Sequence, residues 1–216
     1  MGFSIEDDHS GYDRIMHEFA ELDHLAIEIG IFGDGSESEN GKADLVTIAS
    51  VQEFGMTIRA KKRFMIIPLA PKYKQMKPSE VKGLFHFTTK EGTNYLVREK
   101  GKDELEFCYL LAKQVTVPER SFLRSTFDEK NEEWTEFFET KLEKVCALEM
   151  TAKDAYTHLG AQIVGDIQKK IRDLREPALS PITIAGRQRQ STNPLMDTGH
   201  LRESITWKVV KDDADV

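Results

Sequence analysis

Apolar residues recur at helical spacing over Ser10–Leu25, with Ile15, Phe19, Leu22 and Leu25 on one side and Ser10 placed to cap the helix. Ala26–Phe32 then alternates, putting Ile27, Ile29 and Ile31 on one face of a half-buried strand. Gly33–Lys42 holds only glycine and polar residues, and reads as an exposed, mobile loop. Leu45–Phe54 returns to helical spacing, and Gly55 stands where a helix end favours a left-handed residue. Arg63–Leu69 is strand-like, and Pro71–Pro78 is a connector. Gly83–Thr88, Asn94–Arg98 and Leu105–Ala112 are three further strand-like runs, with Glu91-Gly92 and Lys100-Gly101 as turns between them.

The second half is helical. Gln114–Pro118 is extended and leads into a helix over Ser121–Leu148, whose apolar side carries Phe127, Trp134, Phe137, Phe138, Leu142 and Val145. A second long helix spans Thr151–Leu174, with Thr151 as its cap and Asp154 in its first turn. Glu176–Thr198 contains three prolines and reads as a loop. One helical turn at Leu201–Ile205 and a strand at Ile205–Val210 follow. These elements predict an α+β fold. A small mixed or antiparallel sheet holds Ala26–Phe32 beside Ile205–Val210, two long helices cover one face, and a small antiparallel β module is inserted.

Composition narrows the classes. A chain of 216 residues with 39% hydrophobic residues suits one domain, or one domain with a sizeable insertion. Its 30 Lys and Arg against 37 Asp and Glu give a net charge of −7, which does not draw in phosphate backbones by its overall field. Cys108 and Cys146 lie apart in apolar runs, so buried thiols are expected and a disulfide framework or zinc site is not. Met1–Asp8 is short and acidic, no export signal is expected, and no apolar run nears the roughly 20 residues of a membrane span. Manufacture and use in the cytoplasm are expected.

Catalytic signatures are few. The chain has no Gly-x-Ser-x-Gly, no phosphate-cradling glycine-rich loop and no His-Glu-x-x-His. His17 and His24 are seven apart, a spacing that suits a solvent-edge helix face better than a metal pair. The acids between Asp128 and Glu143 read as a solvated helix face; a divalent-metal nuclease site gathers carboxylates from several elements. Arg59, Lys61, Lys62 and Arg63 form a basic cluster suited to phosphate, to an acidic partner, or to a solubilising strand edge. Arg187 and Arg189 fall in the proline-containing loop. No cofactor is expected.

Four segments carry a family likeness. They are Val51-Gln52-Glu53-Phe54-Gly55; Val117-Pro118-Glu119-Arg120-Ser121-Phe122-Leu123-Arg124; Leu159-Gly160 with the Ile163/Ile167/Ile171 stripe; and Pro194-Leu195-Met196-Asp197-Thr198-Gly199-His200-Leu201-Arg202-Glu203-Ser204-Ile205. In this order they resemble the phage virion-morphogenesis, or head–tail joining, family. The second is similar to Ile-Pro-Ala-Arg-Pro-Phe-Leu-Arg, with Ser121 in place of the proline. The fourth is similar to Pro-Leu-x-Asp-Thr-Gly-x-Leu-x-x-Ser-Ile. The polar, helix-like residues after Asp197-Thr198-Gly199 do not suit an aspartic protease loop.

The resemblance implies a structural subunit of a phage or prophage particle, without enzymatic activity. Such a subunit forms a ring, as a hexamer, at the head-proximal end of the tail. Its partners are copies of itself, the tail-tube or terminator protein and the head connector or stopper, with the genome passing through the channel without sequence-specific binding. A tail terminator, another minor structural protein of a tail or phage-like bacteriocin, and a metal-dependent nuclease are the alternatives. Location in the virion neck, after assembly in the host cytoplasm, follows from the same likeness. Shorter members run almost directly from the first motif to the second, so residues 70–113 are taken as an inserted β module within a joining core of 1–69 and 114–216.

Glu53, Phe54, Gly55, Pro118, Arg120, Phe122, Leu123, Arg124, Asp197, Thr198, Gly199, Leu201 and Ser204 are the candidate assembly residues. Pro118 ends the extended run, and Phe122 and Leu123 anchor the helix start. Asp197 and Thr198 are placed to cap the short turn. Arg120 and Arg124 are four apart, on one helix face, where an assembly role is expected ahead of a folding role. A purely intramolecular role remains the alternative for each motif residue.

Overall fold

A computed structural model describes residues 9–32, 44–101, 104–185, 187 and 191–211. Its elements in chain order are α1 (Ser10–His24), β1 (Leu25–Gly30), α2 (Leu45–Phe54), β2 (Met56–Arg59), β3 (Met65–Pro68), β4 (Phe85–Thr88), β5 (Asn94–Gly101), β6 (Glu104–Ala112), β7 (Gln114–Val117), α3 (Arg124–Cys146), α4 (Ala152–Asp173), α5 (Pro181–Ala185), α6 (His200–Glu203) and β8 (Thr206–Lys211). The fold is α+β. The chain divides into two compact units: Met1–Gly35 with Phe122–Lys170 and Arg202–Val216, and Ser36–Ser121 with Ile171–Leu201.

The first unit is built on a two-stranded antiparallel ribbon, β1 with β8, running from Leu25 opposite Lys211 to Gly30 opposite Thr206. Period-2 alternation turns Ile27 and Ile29 toward α3 and α4, the two long helices that cover this face. Ala152, Ala155, Ile163, Val164 and Ile167 give α4 a buried stripe at helical spacing, and Trp134 and Val145 are buried on α3. Trp134 Nε1 donates to Asp166 at 2.8 Å, so the buried indole keeps a partner. Thr151 caps α4, its Oγ1 accepting from the Asp154 amide at 3.1 Å and donating to the Asp154 carboxylate at 2.8 Å. Glu18 of α1 accepts the Ala152 amide at 2.6 Å, and Tyr156 donates to the Leu22 carbonyl at 3.0 Å; these two bonds seat α1 on the start of α4.

The second unit holds the four-stranded antiparallel sheet β3-β6-β5-β4 and the ribbon β2-β7. Tyr73, Val81, Cys108 and Tyr109 form a buried cluster on the sheet, with the two tyrosine rings 5.3 Å apart. Beside it, Glu106 accepts from Lys72 and, at 2.7 Å, from Arg98. These two cations, Lys72 first, hold the Glu106 carboxyl down at about 2 from an ordinary 4.5. A depressed folded-state value adds stability above the unfolded-state value, and that contribution is lost as pH falls through about 2. Glu106→Gln is therefore expected to lower the melting temperature at pH 7, with a difference from the parent chain that shrinks steadily below pH 4.5. A difference independent of pH contradicts the ion cluster.

Several expectations are corrected. The cap position of α1 is His9, which makes no side-chain cap bond, and Ser10 is already helical. Cys146 is exposed at the end of α3, where the outer face of the helix carries it; Cys108 is buried. Met56–Arg59 is a strand, paired antiparallel with β7 from Met56 opposite Val117 to Arg59 opposite Gln114. β3 pairs with β6, so the sheet ascribed to residues 70–113 begins at Met65. β5 continues through Gly101, which is in strand and not in a turn. The loop expected over Glu176–Thr198 contains α5. The expected loop at Gly33–Lys42 and Arg189 lie outside the described residues. No helix among the described residues is long and apolar enough to cross a membrane.

Candidate functional site

The first two motifs meet in the second unit. Asp44 caps α2 by accepting the Thr47 amide at 2.6 Å, and Gly55 ends the helix at φ 67°, ψ 162°. That turn sends β2 alongside β7, whose end carries the second motif. The Arg120 amide donates to the Gln52 carbonyl at 2.7 Å, and Ser121 Oγ donates to the buried Glu53 carboxylate at 2.6 Å. Phe54 points outward with 61% of its surface exposed. Pro118 is half-buried at the end of the extended run.

Arg120 is 4% exposed and precedes α3, so it does not share a helix face with Arg124. Its guanidinium donates to the Pro177 carbonyl at 2.8 Å, the Ala178 carbonyl at 3.3 Å and Gln52 Oε1 at 3.2 Å. Burial, and secondarily the like charge of Arg187, push the Arg120 value below its ordinary one. The expected assembly arginine is thus an internal brace tying residues 177–178 to the helix–strand corner. Arg120→Ala is expected to cost roughly 2–3 kcal/mol, because it removes three hydrogen bonds made by a buried charged group. Arg124, exposed on the first turn of α3, is expected to lose less than about 1 kcal/mol on truncation. Thermal melts of the two single variants check the contrast; equal losses contradict it.

The fourth motif lines a cavity of about 310 Å³ in the same unit, where Asp197, Thr198, Gly199 and Leu201 face Ile48 and Gln52. Gly199 takes φ 98° within the turn. Thr198 Oγ1 accepts the His200 amide at 3.5 Å, a long cap bond, while the Asp197 charge acts on Arg187. Arg187 staples the segment, donating to the carbonyls of Ser191 at 3.2 Å, Met196 at 3.2 Å, Pro194 at 2.9 Å and Asn193. Asn193 closes α4, its side-chain amide donating to the carbonyls of Ile171 at 3.1 Å and Arg172 at 2.7 Å. Sequence reasoning missed Gln52, Arg187 and Asn193 as organisers. The Asn193-Pro194 pair, a turn signal, was the one local mark among the three.

In the first unit Phe122 is fully buried and its carbonyl accepts from Thr126 Oγ1 at 2.6 Å, which anchors the start of α3. Ser204 is half-buried just before β8. Leu123 and Phe127 lie at an apolar groove of about 490 Å³, whose floor is Ile27, Ile29, Ile163 and Ile167. Tyr12, Met16 and Phe19 form an exposed apolar stripe on α1 at helical spacing. Among the described residues no three His, Cys, Asp or Glu side chains are grouped to hold a metal, and His17 and His24 are exposed. Comparison with family models, with curated proteins and with solved structures gave no match.

Proposed function

We propose that this chain is a structural subunit of a phage or prophage particle that completes the tail and joins it to the head. The observation that carries the reading is the ordered set of four motif segments between Val51 and Ile205. Two features support it. Glu53, Gly55, Arg120 and Ser121 interlock two of the segments into one rigid corner, which suits a scaffold whose shape is its function. Apolar side chains on α1 and β2 and at Phe54 are left in water, as expected of surfaces covered on assembly.

In this reading the subunit acts by self-association into a ring, a hexamer by the likeness, and by docking to the tail-tube or terminator protein and to the head connector. It makes and breaks no covalent bonds. The test is removal of the chain from the phage genome that encodes it. Filled heads and finished tails are expected to accumulate unjoined, and to join when purified protein is added. Normal infectious particles without the chain overturn the proposal.

A further inference from the structure

The ladders β2-β7 and β3-β6 follow one another along the same two stretches of chain. Arg59 sits opposite Gln114 and Met65 opposite Ala112, so residues 60–64 stand against Lys113 alone. The Ala60 amide donates to the Lys113 carbonyl at 2.9 Å and closes the base of this loop. Five residues against one is a large bulge, and bulges re-aim side chains at the cost of ladder bonds. This one carries Lys61, Lys62 and Arg63, all exposed, immediately after the exposed Arg59. None of the four forms an ion pair with any described residue.

The complementary feature is on α3. Asp128, Glu132, Glu136, Glu139 and Glu143 are spaced by four, four, three and four, which sets them on one helix face about 22 Å long. All are exposed, and none has an ion-pair partner among the described residues. The acids off this face differ: Glu129 pairs with Lys170 at 2.5 Å, and Glu133 with Lys130 at 2.6 Å. Five like charges along one face repel one another in an isolated chain, and a cationic partner relieves that.

We infer that the basic bulge at residues 60–64 docks on the Asp128–Glu143 face of α3 in a second copy of this chain. The inference rests on the self-association proposed above and specifies its contact. The charge complement lies within one sequence, and repetition of a heterologous contact generates a ring when its rotation closes. A protein surface suits the bulge better than a phosphate backbone does, because β2 leads into it with Met56 and Ile58 exposed. Phe127, 58% exposed one residue before Asp128, offers an apolar neighbour at the edge of the α3 face.

Charge reversal tests the contact in the full chain. One variant carries Lys61→Glu with Lys62→Glu, and the other Glu136→Lys with Glu139→Lys. Each variant reverses the charge at the centre of one surface and leaves the other surface as it was. Sedimentation velocity is expected to show association weakened at least about tenfold in each variant alone. An equimolar mixture is expected to recover it, because the reversed positions of one variant meet the reversed positions of the other, and the unaltered bulge meets the unaltered face. Circular dichroism melts are expected to match the parent chain, since every changed side chain is exposed.

A second measurement uses the exposed Cys146, near the end of the acidic face. A short amine-to-thiol cross-linker in a mixture of light and isotopically heavy chains is expected to join Lys61 or Lys62 to Cys146 between copies. Association indifferent to both reversals, or a mixture that stays dissociated, overturns the contact while leaving the joining role intact. Duplex-DNA binding lost only in the Lys61/Lys62 variant, with association unaffected, overturns it in favour of nucleic acid. A parent chain that is monomeric both in solution and within particles overturns the contact and the self-association together.

Discussion

Gly55→Ala is expected to destabilise the second unit by about 4 kcal/mol, combining roughly 1–3 from backbone strain and roughly 1–3 from overpacking. At φ 67°, ψ 162° Gly55 holds a conformation that L side chains rarely adopt. Space is also lacking: a Cβ there would stand 2.8 Å from the Glu119 amide nitrogen and 3.1 Å from the Val117 carbonyl oxygen. Both neighbours are backbone, held by the β2-β7 ladder and by the Arg120–Gln52 bond, so neither gives way cheaply. Chemical denaturation of Gly55→Ala checks this. A loss below about 1 kcal/mol contradicts the rigid corner.

Gly160→Ala is expected to cost about 3 kcal/mol in the first unit, within the range for inserting a methyl group where none fits. A Cβ at Gly160 would lie 2.3 Å from Cδ1 and 2.6 Å from Cγ of Trp207, which β8 places against α4 at this glycine. Gly165, five residues along α4, has nothing within 4 Å of its Cβ position and serves as the control: Gly165→Ala is expected to be neutral or stabilising. Tryptophan fluorescence is the direct readout, because displacement of the Trp207 ring shifts its emission to the red. Unchanged emission and stability in Gly160→Ala contradict the packing.

Legibility in the sequence tracked the range of the interactions. α2 was readable to both ends, because its periodicity and Gly55 are local signals. β1 and β8 were readable as strands because each alternates apolar and polar residues, and the two do pair. β2 was not: four residues are too few to show a period, and its partner β7 lies more than fifty residues away. The bulge at residues 60–64 leaves no local mark either, since its existence depends on the register of two ladders.

Arg120 shows the same limit at a candidate site. A spacing of four from Arg124 looks helical, yet the helix begins at Arg124, and the carbonyls that fix Arg120 belong to residues 177 and 178. That stretch reads as a featureless loop because its order comes from distant guanidinium groups and not from its own pattern. The motifs themselves were legible as chain segments, but not their meeting. Gln52 meets Arg120 only through the turn at Gly55, and Ile48 and Gln52 reach the Asp197–Leu201 cavity from a helix some 150 residues earlier.

The central claim is that this chain is a structural part of a particle's neck. It is tested most directly by a reconstruction, at side-chain resolution, of the particles made by the genome that encodes it. A closed ring of copies between head connector and tail tube is expected, with the Gly55–Arg120 corner intact in each. Particles whose neck is complete and contains no copy of this chain contradict it.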